Sequence, residues 1–86
     1  MMFFVYILEN PAGRFYNGHT DDLARRLRQH NEPVAGLGKF THKNGPWRLV
    51  WSELHESRSA AMLRERVIKS WKSAARIRRE LLDNVR

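Results

Sequence analysis

Residues Phe3 to Leu8, FFVYIL, constrain this chain more than any other stretch. Aromatic and β-branched residues favour a strand, and Glu9-Asn10-Pro11-Ala12-Gly13 ends the run with proline and glycine punctuation. Along such a strand Phe4, Tyr6 and Leu8 point one way, and Phe3, Val5 and Ile7 the other. Both faces are apolar, so the strand belongs at the centre of a sheet, covered on both sides. A chain of 86 residues can build that once. It has material for one modest core, and residues 1–86 are read as a single domain.

The segments that follow supply the covering layers. Arg14 to Gly18 reads as the return strand of a hairpin. Thr20 is placed to cap a helix whose first turn holds Asp21 and Asp22, where carboxylates favour the positive end of the dipole. That helix runs to about Asn31 and stops before Pro33. Glu32 to Gly45 is a loop carrying three glycines, Lys39, His42 and Lys43. Trp47 to Leu54 alternates as a third strand. Ser57 caps a second helix from Arg58 to about Trp71, and Lys72 to Arg86 continues as helix after a short break. The expected fold is α+β: a small three-stranded antiparallel sheet flanked by helices, in the order β-β-α-β-α-α.

Helical periodicity sorts the polar residues. Leu23 and Leu27 mark the buried stripe of the first helix, and Arg26 and His30 fall within about 60° of Leu23. Those two side chains should look along the core edge toward the sheet, while Arg25, Arg28 and Gln29 face away. On the second helix Ala60, Leu63, Val67 and Trp71 form the apolar arc, with Ala61 and Ile68 at one edge. Arg64 projects into the arc, its stem packing and its head snorkelling. Glu65 lies about 40° beyond the Ala61 and Ile68 edge. Taken alone, Glu65 is a helix-surface ion-pair partner for its basic neighbours, worth a few tenths of a kcal/mol.

Charge points to the partner. Sixteen Lys and Arg against nine Asp and Glu give a net charge of +7 and a pI near 10.8. On so small a chain this is the footprint of a polyanion binder, with nucleic acid favoured over a merely solubilising surface. There is no cysteine, which removes disulfides, thiolate metal sites and a cysteine nucleophile and suits a reducing cytoplasm. No stretch reaches the roughly 18–20 apolar residues of a membrane span, and the N-terminus lacks the basic region and cleavage site of a signal peptide. His19, His42 and His55 have no ligand-like spacing.

One pattern joins these pieces. Phe4-Val5-Tyr6 is followed by Ile7-Leu8, and Tyr16-Asn17-Gly18 by Thr20, Leu23, Arg26 and His30. Then come Phe40-Thr41-His42-Lys43, Trp47-Arg48-Leu49-Val50 and Glu65-x-x-Ile68-Lys69-x-Trp71. In this order and spacing the chain resembles the GIY-YIG nuclease superfamily, in particular its short stand-alone bacterial members, over roughly residues 4 to 72. Two positions depart from the pattern. Phe4 stands where the name-giving glycine would be, and Asn17 stands where a β-branched residue is usual. Asn17 points away from Tyr16, so its expected effect is on packing rather than chemistry.

The resemblance implies a metal-dependent endonuclease-like domain that hydrolyses DNA phosphodiester bonds with low sequence specificity, serving DNA repair or recombination. Tyr6 would be the general base or would position the attacking water. A phenol acting near neutrality needs a depressed pKa, which Arg26 and metal charge are expected to supply. Tyr16 would orient water or bind phosphate, Arg26 would stabilise charge on the scissile phosphate, and His30 would tune the tyrosine or phosphate. Glu65 would hold one divalent ion, Mg²⁺ or Mn²⁺. His19, Arg25, Arg28, Lys39, Lys43 and Arg48, with Arg76, Arg78 and Arg79, are candidates for contacts to nucleic acid. The rival expectations are a non-catalytic nucleic-acid-binding module and a subunit given its specificity by a partner protein.

Overall fold

The structure is a computed structural model, described here for residues 2–32 and 45–83. Three strands form one antiparallel sheet: β1 (Phe3–Glu9), β2 (Phe15–Thr20) and β3 (Arg48–His55), in the order β2-β1-β3. The apolar segment is the central strand, as its two apolar faces require. Helix α1 (Leu23–Asn31) follows β2. Helix α2 (Arg58–Trp71) follows β3, and a short α3 (Ala74–Ile77) runs on into a π-helical segment, Arg78–Leu82. The expected β-β-α-β-α-α order holds. Strand β2 extends to Thr20 rather than ending at Gly18, and β3 starts and ends one residue later than expected.

Hairpin closure rests on Asn10, whose Oδ1 accepts the backbone N–H groups of Ala12 (3.1 Å) and Arg14 (2.8 Å). This fixes the β1–β2 register, which sets Tyr6 opposite Gly18 and Leu8 opposite Tyr16. On the other side β1 pairs with β3, with a register shift between Ile7 and Leu8.

The sheet carries a core on each face. Phe3, Val5 and Ile7 pack with Ala61, Ile68 and Leu81 beneath α2 and the C-terminal helical segment. Tyr6, Leu8 and Trp47 pack on the opposite face with Tyr16, Leu23 and Leu27. Burying each of these large side chains is worth about 1.5–3 kcal/mol.

Two local expectations are corrected. Thr20 does not cap α1. It remains in β2, and its hydroxyl accepts the Asp22 N–H (3.1 Å). Asp22 is the cap instead, its side chain accepting the Arg25 N–H at 3.0 Å, so neither aspartate lies within the first turn. The second correction concerns the rotation of α2. Ala61 and Ile68 are its buried residues, whereas Leu63 and Val67 are 60% and 41% exposed. Relative to its most apolar arc the helix is turned by roughly a quarter of a revolution. That turn brings Glu65 to the sheet.

At the end of α2, Lys72 adopts a left-handed conformation (φ 48°) and closes the helix, after which the Ser73 side chain caps α3. No helix among the described residues is long and apolar enough to cross a membrane.

Candidate active site

Strand β2 divides the candidate residues between two sides. Its even-numbered residues Tyr16 and Gly18 face α1, together with Tyr6 of β1. A Cβ at position 18 would come within 2.6 Å of the Tyr6 hydroxyl, so only glycine lets the Tyr6 side chain pass. The Tyr6 hydroxyl ends between two side chains of α1. Arg26 Nε donates to it at 3.3 Å, and His30 Nε2 lies at 3.0 Å. Tyr16 packs its ring against His30 (centroids 4.5 Å apart) and stacks with Tyr6 at 6.5 Å. Arg26 and His30 therefore look toward the sheet as the periodicity requires, three and seven residues beyond Leu23. Gln29 was expected on the far side, yet it is half-buried and accepts from Arg26 Nη1 at 3.5 Å.

Electrostatics fix the protonation of this cluster. Burial, reinforced by the Arg26 charge, lowers the His30 pKa to about 4, so the imidazole is neutral near neutrality. The Tyr6–His30 bond can be made by either ring tautomer, with the phenol or Nε2–H as donor. His30 Nδ1 is buried without a partner among the described residues. The Tyr6 pKa is raised, because burial outweighs the hydrogen bond and charge of Arg26. Arg26 alone does not depress the phenol: in the free protein, without metal charge beside it, Tyr6 is a neutral hydroxyl. Arg26 is raised above its already high value, chiefly by its hydrogen bond to Tyr6.

The odd-numbered residues of β2 face α2. His19 Nδ1 lies 2.6 Å from Glu65 Oε1, and Asn17 Nδ2 donates to the Glu65 backbone carbonyl at 3.0 Å. Lys69 Nζ holds Oε2 at 2.6 Å. Burial pushes the Glu65 pKa up, but Lys69 and His19 together outweigh it and keep the carboxyl below its usual range. Glu65 is therefore ionised. It touches neither Tyr6 nor Arg26, though its charge acts on both. Its side chain opens on a cavity of about 170 Å³ lined by His19, Met62, Arg66 and Lys69.

Sequence reasoning singled out Asn17 without finding its partner, and missed Asn31. Asn17 is not a packing substitution but a bond to the turn of α2 that carries Glu65. Asn31, the last residue of α1, clamps Trp47 through its backbone N–H (2.6 Å) and carbonyl (2.9 Å), fixing the ring that meets Tyr16 edge-on at 6.2 Å. An asparagine ending a helix was the only available signal, and it is a weak one.

The remaining candidates lie at the surface in local pairs. Arg25 meets Asp21 (3.4 Å), Arg28 meets Glu32 (4.0 Å), and Arg48 and Arg78 share Glu9. Arg76 lies over the Trp71 ring and Arg79 meets Glu80. Lys39, Lys43 and the Phe40-Thr41-His42-Lys43 motif fall outside the described residues.

Against known families, the profile of the GIY-YIG catalytic domain matches residues 2–79. The chain belongs to the GIY-YIG family. Its relatives include a UPF0213 protein of Haloquadratum walsbyi, 45% identical over 79% of this chain and 74% of the relative. A UPF0213 protein of Staphylococcus aureus is 36% identical over 87% of this chain and 89% of its own. The solution structure of a UPF0213 protein from Bacillus halodurans is 34% identical, covers 81% of this chain and 72% of that one, and has a TM-score of 0.49. UPF0213 designates a family without specifying a reaction. GIY-YIG membership makes the chain nuclease-like and implies nucleic acid as its partner, and GIY-YIG nucleases in general use a divalent metal.

The residues present fit such an ion. Mg²⁺ takes hard oxygen ligands and keeps several waters, so one ionised carboxylate beside open space suffices. The cavity at Glu65 has room for several waters of about 30 Å³ each. An ion there would displace Lys69, whose side chain is 58% exposed, from Oε2.

Proposed function

We propose that this GIY-YIG domain is a metal-dependent endonuclease that hydrolyses DNA phosphodiester bonds with little sequence selectivity. One observation carries the reading: Tyr6, Arg26 and His30 form a hydrogen-bonded cluster stacked on Tyr16, with ionised Glu65 held across the same strand.

In the proposed reaction water attacks phosphorus and gives up a proton to solvent, the P–O bond to the leaving oxygen breaks, and that oxygen takes up a proton from solvent. The neutral phenol of Tyr6 orients the water rather than deprotonating it as a phenolate. Its hydroxyl is held in place by bonds to both Arg26 and His30. Arg26 donates to phosphate oxygens through the guanidinium hydrogens not used on Tyr6, where charge grows in the transition state. His30 fixes the orientation of the Tyr6 hydroxyl. A divalent ion held by Glu65 would supply Lewis-acid stabilisation of the phosphate.

Charge favours a polyanion along the neighbouring surface. A groove of about 550 Å³ runs between β2 and the α2–α3 segment, lined by Arg14, Lys69 and Lys72 and by no acidic residue. Beyond it, the surface arginines sit in exposed pairs, which contribute little to stability and exchange readily for phosphate. A role in DNA repair or recombination belongs to this proposal, as does action inside the cytoplasm.

The test is a cleavage panel over single-stranded, duplex and branched DNA, with matching RNA, in Mg²⁺, Mn²⁺ or EDTA. Metal-dependent cutting of DNA is expected, with Arg26→Ala lowering kcat by about 100-fold or more. Tight binding without cutting in any metal would leave a non-catalytic nucleic-acid-binding module. A specific observation favours that second reading: in the free protein both Glu65 oxygens are already engaged.

A further inference from the structure

We infer that Asn17 is a positioning residue that turns α2 so that Glu65, and not the helix's apolar arc, faces β2; the inference rests on Glu65 being the metal ligand. Asn17 and His19 stand two residues apart on one side of β2 and grip Glu65 at both ends. Asn17 takes the backbone carbonyl (3.0 Å) and His19 the carboxylate (2.6 Å).

Stability alone does not account for this asparagine. The Glu65 carbonyl lies inside α2, where the N–H four residues on is its ordinary partner. The Asn17 bond uses the second lone pair, so the helix does not depend on it. Meanwhile Asn17 Oδ1 is buried with no partner among the described residues, an unfavourable arrangement worth about 1–3 kcal/mol. A β-branched residue there would pack without the orphaned oxygen and suits a strand better.

The rotation of α2 shows the same preference. Leu63 and Val67 are left 60% and 41% exposed although they lie on the helix's most apolar arc. Rolling α2 by roughly a quarter turn would turn them toward the core in place of Ala61 and Ile68 and carry Glu65 off the strand. The Asn17 bond opposes that roll at the turn where Glu65 sits. Arg64, bonded to Glu53 at 3.0 Å, holds the other flank.

The experiment is a Mn²⁺ titration of the intact protein, followed by electron paramagnetic resonance, with thermal melts on the same samples. Asn17→Val and the smaller Asn17→Thr are compared with wild type and with Glu65→Gln. The expected result is a melting temperature equal to or above wild type, with Mn²⁺ affinity lowered about 10-fold or more. Wild-type Mn²⁺ affinity in both Asn17 variants, while Glu65→Gln loses the ion, overturns the positioning role and leaves the ligand intact. A fall in melting temperature that tracks the loss of affinity assigns Asn17 to the fold and also overturns it. Unchanged Mn²⁺ binding in Glu65→Gln removes the ligand, and the positioning role with it.

Discussion

Gly18 faces Tyr6 across the β1–β2 ladder with no room for a methyl group. A Cβ there would meet the Tyr6 hydroxyl at 2.6 Å and its Cζ at 2.8 Å, and the ring is boxed in by Tyr16 and His30. Gly18→Ala must push the phenol off Arg26 and His30. The expected outcome is a loss of about 1–3 kcal/mol in urea unfolding together with loss of cleavage. His30 makes a second prediction at this scale. Its folded pKa of about 4 lies below the ordinary 6.5, so the unfolded chain binds a proton that the folded chain refuses. Stability from this group is full above pH 6.5 and falls as pH drops toward 4, by roughly 3 kcal/mol in all. Urea midpoints across that range, wild type minus His30→Gln, should show this slope. A flat difference would contradict a buried neutral imidazole.

Among the elements, α2 is where sequence and structure part. Ile68→Ala should cost about 2–5 kcal/mol because it empties the core under β1, whereas Leu63→Lys should stay within about 0.5 kcal/mol. Melting temperatures of the two variants decide it. The most apolar arc would rank them the other way round. Periodicity counts apolar side chains on a helix standing alone, whereas here Ala61 and Ile68 enter the core under β1 and polar contacts from β2 and β3 bond the same side of the helix. Those contacts join residues 48 and 11 positions apart and leave no local trace. Helix α1 is the opposite case: Arg26 and His30 flank its short leucine stripe, no competing arc exists, and their direction could be read from spacing. The start of α1 was legible only to within two residues, since Thr20 and Asp22 are both good caps and strand pairing claims Thr20. The Tyr6 pKa was not legible at all, because it depends on burial that only the assembled core supplies.

For the whole molecule, the net charge of +7 sets how binding responds to ions. DNA affinity should fall linearly with the logarithm of salt concentration, losing about 0.9 in slope for each phosphate neutralised. Lys72→Ala, at the rim of the β2–α2 groove, should weaken all sequences alike and lower the slope by about 1. Fluorescence anisotropy across a salt series gives both numbers. Salt-independent binding would remove the polyanion reading of the basic surface.

The alternation of β2 has one consequence for how such a chain can change over evolutionary time. Tyr16 and Gly18 serve one side of the sheet, and Asn17 and His19 serve the other. Because strand side chains repeat with a period of two, a slip of one residue exchanges the two sets. A single deletion in the Asn10–Arg14 turn that shifted the pairing would press Tyr16 against α2 and offer His19 to Tyr6. Lineages of this fold can therefore lengthen or shorten that hairpin only where the ladder stays put, with Gly18 opposite Tyr6.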